Sequence, residues 1–96
     1  MLPKHRSPVH PGEILQEEFL SSLGLTQTAL AKHLSWTNAK VNELIAGKRG
    51  VTTEVALSLS DAFGTSPELW LNLQRNYDLW WAQKAHKKKV NLLKAA

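Results

Sequence analysis

Apolar residues recur along this chain at three- and four-residue steps, the period of an amphipathic helix. Each stretch is bounded by a capping residue or a glycine. The first opens at His10-Pro11-Gly12-Glu13. Proline suits the first helical position, where its missing N–H would find no partner anyway, and Glu13 favours the positive end of the helix dipole. Ile14, Leu15, Phe19, Leu20 and Leu23 form the apolar face, and Gly24 ends the helix. Thr26 caps a second helix that runs to Leu34, with Leu30, Ala31 and Leu34 turned inward. Ser35 and Trp36 interrupt the pattern. Thr37 caps a third helix, with Val41, Leu44 and Ile45 inward and Gly47 as its stop. Thr52 caps a fourth, whose buried stripe is Val55, Ala56, Leu59, Ala62 and Phe63 and whose C-cap is Gly64. Ser66-Pro67-Glu68 starts a fifth that reaches roughly Lys84. No strand alternation, repeat or low-complexity tract is present. The pattern predicts an all-α fold of five helices with short connections.

This divides the chain into a flexible lead over 1–9, a helical domain over 10–83 and a basic tail over 84–96. The fifth helix is apolar on more than one side, so it has more than its own domain to cover. Leu69, Trp70 and Leu73 are expected to pack on the domain, and Tyr77, Trp80 and Trp81 to form a symmetric dimer interface, where aromatics are enriched. Leu71, Leu79 and Ala82 lie on another side.

The second and third helices carry the chemistry. Their tight connection and polar, basic front have the form of a helix-turn-helix, which sets a recognition helix in the DNA major groove. Counting from Gln27, the fifth residue is Ala31, small enough for two steeply crossing helices to touch. The fifteenth and eighteenth, Val41 and Leu44, fill the core behind. The outward front of the third helix is then Thr37, Asn38, Ala39, Lys40 and Asn42. Asn pairs bidentately with adenine, and Lys donates to guanine or phosphate. Gln27 stands at a helix N-terminus that favours phosphate, and Lys48-Arg49-Gly50 is a glycine-bounded basic loop. At the ninth position, usually glycine in such motifs, this chain has Ser35. Trp36 is expected to cover the turn, with a DNA or partner contact as the alternative.

Composition narrows the partners. The net charge is +4 over 96 residues, and bases cluster around the motif and in the tail, while Glu13, Glu17 and Glu18 sit together on the first helix. Nucleic acid is a fitting polyanion. There are no cysteines, which fits a reducing cytoplasm and rules out disulfides. No apolar signal segment is visible at the N-terminus, and no run approaches the about 20 residues that span a bilayer. The histidines lack zinc-ligand spacing, and no phosphate loop or nucleophile motif occurs. The expectation is no enzyme, no cofactor, no metal and no membrane.

The segments HPGEILQEEFLSSLGLTQTALAKHL and NELIAGKRGVTTEVALSLSDAFGTSPELWLNLQRNYDL resemble the HigA (VapI-like) antitoxin branch of the lambda-repressor-like, XRE-type helix-turn-helix proteins. The resemblance covers about residues 9–82. It implies a dimer that binds inverted-repeat operator DNA and represses its own operon, together with a HigB-type toxin of the RelE-like, mRNA-cleaving class. By motif position it also implies DNA-facing roles for Gln27, Thr37, Asn38, Lys40 and Asn42, with Lys48 and Arg49 on phosphate. Glu13, Glu17 and Glu18 are candidates for pairing with a basic toxin surface; a solvated acidic face is the alternative. Two rival functions remain at this level: a stand-alone XRE-type repressor without a toxin, and a pure protein-binding clamp.

Overall fold

A computed structural model describes residues 7–94 of the chain. Residues 1–6 of the predicted lead and the last two of the tail lie outside the described residues. Among the described residues five helical elements follow one another. Helix α1 covers 11–23 and α2 is Gln27–Leu34, α3 Asn38–Ile45, α4 Thr53–Phe63 and α5 Pro67–Ala85. No strand occurs among the described residues.

The predicted caps form. Thr26 Oγ1 accepts from Ala29 N at 3.0 Å, Thr37 Oγ1 from Lys40 N at 3.1 Å, Thr52 Oγ1 from Val55 N at 3.2 Å and Ser66 Oγ from Leu69 N at 3.2 Å. Each satisfies a first-turn N–H that no intrahelical carbonyl can reach. His10 is the unforeseen cap: its Nδ1 accepts from Gly12 N at 2.9 Å.

Helix α1 departs from the expected regular period. After an α-helical turn at Pro11–Ile14 it is π-helical over Leu15–Leu20, then α-helical again over Ser21–Leu23. Residues five apart lie about 140° apart around an α-helix. With i→i+5 bonding they come back close to one direction. Leu15 and Leu20 are accordingly both fully buried. Leu23, expected on the apolar face, is 60% exposed instead.

The core joins Leu15, Leu20, Leu30, Ala31, Val41, Leu44, Val55, Ala56, Leu59 and Trp70. Trp70 is wholly enclosed, and its Nε1 donates to Thr65 Oγ1 at 2.7 Å, which satisfies its one polar atom. Phe19 bridges Phe63 and Trp70 at ring separations of 4.9 and 5.2 Å. Helix α4 packs along α5, α2 crosses α3, and α1 lies on α3 and α5. Leu73 packs against the core as expected. Leu69 does not: it is exposed, and Leu71 packs against the core in its place. No helix among the described residues is long and apolar enough to cross a membrane.

Candidate nucleic-acid interface

The front of α3 is built by its cap and its crossing with α2. Ala31 is buried where the two helices meet. Ser35 ends α2 in the left-handed conformation at φ 58°, where the motif usually has glycine. Its N–H bonds Lys32 O at 3.3 Å, and the next N–H, from Trp36, bonds Ala31 O at 2.9 Å. The chain then reverses within three residues, and Thr37 starts α3. With Val41 and Leu44 committed to the core, Thr37, Asn38, Ala39 and Asn42 are left exposed.

Two contacts order this front. Asn42 Nδ2 donates to Gln27 Oε1 at 3.4 Å, tying the middle of α3 to the N-terminus of α2. Lys40 places its ammonium over the Trp36 ring, 4.3 Å from the centroid. Trp36 is half-buried against the core on its other side. It therefore covers the turn, as expected from its position, and also carries a basic side chain of α3.

The basic loop after α3 is fastened from two directions. Gly47 takes a left-handed φ of 77°, and a Cβ there would meet the His10 ring at 3.7 Å. Gly50 lies close under the Gln74 side chain, and Val51 N donates to Gln74 Oε1 at 2.7 Å. Gln74 Nε2 in turn donates to Asp78 Oδ1 at 2.9 Å. The loop is thus pinned between the start of α1 and the middle of α5. Within it Lys48 is exposed, whereas Arg49 is engaged: its Nη2 lies 2.8 Å and its Nε 3.2 Å from Glu43 Oε1. Both partners are nearly half exposed, so the pair is weak and open to exchange.

Gly12 explains the opening motif. A Cβ on it would run into the Leu44 carbonyl and come within 2.9 Å of Ile45 Cα, so only glycine lets α1 lie on α3 here. Burial lowers the His10 pKa from its ordinary 6.5, against the opposing pull of Asp78 and Glu13. A neutral ring is what the cap requires, because Nδ1 is the acceptor.

The other sequence-predicted groups lie on different surfaces. Glu13, Glu17 and Glu18 are exposed on α1, and none makes a salt bridge among the described residues. Tyr77 meets His10 edge-on at 4.8 Å within the protomer. Trp81 meets Tyr77 at a tilt, 6.2 Å between centroids, and Trp80 edge-on at 4.9 Å, and Lys84 covers Trp80 at 4.4 Å. On another side of α5, Val51, Leu71, Arg75, Asp78, Leu79 and Ala82 line a shallow open depression. Sequence reasoning missed Gln74, His10 and Glu43. Gln74 lies 23 residues from the loop it holds, and no local pattern announces such a bond.

Comparison with known proteins extends the description. Residues 6–73 match a family model described as a helix-turn-helix domain. Virulence-associated protein I of Dichelobacter nodosus is 42% identical over 85 residues, covering 88% of this chain and 78% of the relative. Antitoxin HigA-1 of Vibrio cholerae is 40% identical over 90 residues, covering 93% and 84%. Among solved structures, the Pseudomonas aeruginosa antitoxin HigA with the higBA promoter superposes with a TM-score of 0.79. It is 40% identical and covers 81% of this chain and 85% of that one.

Proposed function

This chain belongs to the helix-turn-helix domain family, and within it we infer that it is an antitoxin of a toxin–antitoxin pair. It binds an inverted-repeat operator as a dimer, represses its own operon in the cytoplasm and neutralises a HigB-type, mRNA-cleaving toxin. The observation that carries the reading is the ordered polar front of α3, bridged to α2 through Asn42 and Gln27 beside a fastened basic loop. The likeness to a HigA antitoxin solved with promoter DNA supports it.

Thr37, Asn38, Ala39, Lys40 and Asn42 face the base edges. Gln27 meets the phosphate at the start of α2, where backbone N–H groups also favour an anion. Lys48 neutralises a phosphate directly, and Arg49 does so on exchanging Glu43 for the DNA backbone. One such module contacts too few bases for operator-level affinity. Two related by a two-fold axis reach successive major grooves about 34 Å apart. The dimer forms through α5, with Tyr77, Trp80 and Trp81 at its contact. Glu13, Glu17 and Glu18 offer an acidic surface to the toxin, on a different element from the bases that read DNA.

Two measurements test this together. Charge reversal, Lys40→Glu, abolishes binding to the DNA upstream of the gene in a mobility-shift assay. Co-expression with the product of the adjacent gene yields a co-purifying complex and relieves that product's toxicity. DNA binding without any complex selects the stand-alone repressor. A complex whose formation survives with no DNA binding by the wild type selects the protein clamp.

A further inference from the structure

Lysine is a poor reader of sequence when it is free. Four rotatable bonds let its ammonium sweep over several base pairs and phosphates, and its charge is not directional. Lys40 is held at both ends. Its backbone N–H is bonded by the cap of α3, Thr37 Oγ1, at 3.1 Å. Its ammonium is held over the Trp36 ring at 4.3 Å. Trp36 is itself immobilised, since its N–H bonds Ala31 O and its ring packs on the core. Trp36 stands just before the cap of α3, and the first turn of the helix brings the Lys40 amine back over its ring.

We propose that Trp36 is a positioning residue for DNA reading: it clamps the Lys40 ammonium at one place at the front of α3, so that Lys40 selects a single base pair. This rests on the DNA-binding reading above. Ordinary core packing would need only an apolar residue at 36. The aromatic face adds a contact that only a cation uses. Fixing the amine before DNA arrives also removes rotamer freedom that would otherwise be lost on binding.

The clamp has a readout without DNA. Ring current from Trp36 shifts the Lys40 methylene protons beside Nζ upfield in the NMR spectrum of the free protein, and Trp36→Leu returns them to the ordinary lysine position. Selection from a randomised duplex library, followed by affinity measurement, tests the role. Trp36→Leu keeps an apolar cover for the turn. It lowers affinity for the selected site about two- to fivefold, the factor for an exposed cation–π contact. It also flattens the preference at the base pair that Lys40→Met flattens. Trp36→Phe, with a weaker π face, retains part of that preference. In a Lys40→Met background, Trp36→Leu has no further effect. An equal loss in both backgrounds, or an unchanged base preference in Trp36→Leu, overturns the proposal and leaves Trp36 as packing alone. If the wild type selects no duplex at all, the DNA-binding reading fails and the role of Trp36 falls with it. Absence of the upfield shift rejects the clamp whatever the DNA result.

Discussion

Ser35 holds a backbone conformation that disfavours any residue with a Cβ. At φ 58° it closes the turn between α2 and α3, where a left-handed L-residue costs about 1–2 kcal/mol. Ser35→Gly is therefore expected to stabilise the protein by about 1 kcal/mol. In a domain of this size a thermal melt would show that as a rise in Tm of about 4–8 °C. An unchanged or lower Tm means that the serine side chain contributes something glycine loses. His10 is a second residue whose state matters. Its folded pKa is lowered below 6.5, chiefly by burial, so its contribution to stability is complete above pH 6.5. That contribution declines as pH falls from 6.5 through the lowered folded value, because the unfolded chain takes up the proton first. Wild-type Tm should drop more between pH 7 and pH 5 than that of His10→Asn, which keeps a cap acceptor and does not titrate. Parallel pH profiles for the two proteins would exclude His10 as the titrating group. Ser35 was visible in the chain as a break in the apolar pattern. The capping by His10 and the burial that lowers its pKa were not.

At the scale of elements, the helices stand where the apolar periodicity and capping residues put them. Those signals are local: a threonine bonds an N–H three residues on. The π-helical stretch of α1 escaped because Leu15 and Leu20 each read as apolar on an ordinary helix. Only burial of both against the same core decides the wider bonding. The basic loop shows the same division. Its glycines and bases are plain in the chain, but its anchorage to Gln74 and the engagement of Arg49 by Glu43 come from packing. That pairing has a measurable consequence. Glu43→Gln frees Arg49 for phosphate while changing folding stability by less than about 1 kcal/mol, since the pair is exposed. Operator and non-operator affinity should both rise. The slope of log affinity against log salt should stay close to wild type, since the same phosphate contact forms in both proteins, whereas Arg49→Gln should lower it by about one unit. An unchanged slope in Arg49→Gln would place Arg49 away from the DNA backbone.

For the whole molecule, α5 presents two surfaces that a second copy could cover. One is the aromatic row Tyr77, Trp80 and Trp81, with Trp81 48% exposed. The other is the depression along Leu71, Leu79 and Ala82, with Leu79 45% exposed. The first engages part of its area within the protomer, through His10 and Lys84. Joint replacement of Trp80 and Trp81 by alanine should convert the protein to a monomer by light scattering and weaken operator binding at least about tenfold, since one module holds too few contacts. A persistent dimer, combined with dissociation by Leu79→Asp, moves the interface to the other side of the helix.

What the chain determines by itself is what short-range physics writes into it. This covers the five helices, their caps, the small Ala31 at a helix crossing and the polar front of α3. Each depends on neighbours within a turn or two. Tertiary structure decided which of those groups act together. Gly12 is required by the Leu44 carbonyl, Gln74 holds a distant loop, Glu43 engages Arg49, and Trp36 carries Lys40 while covering the core. Three of these four contacts join residues from different segments, and the fourth needs the rotation of α3 that core packing sets. Periodicity records which face of a helix is buried. It does not record what that face, or the exposed one beside it, will touch.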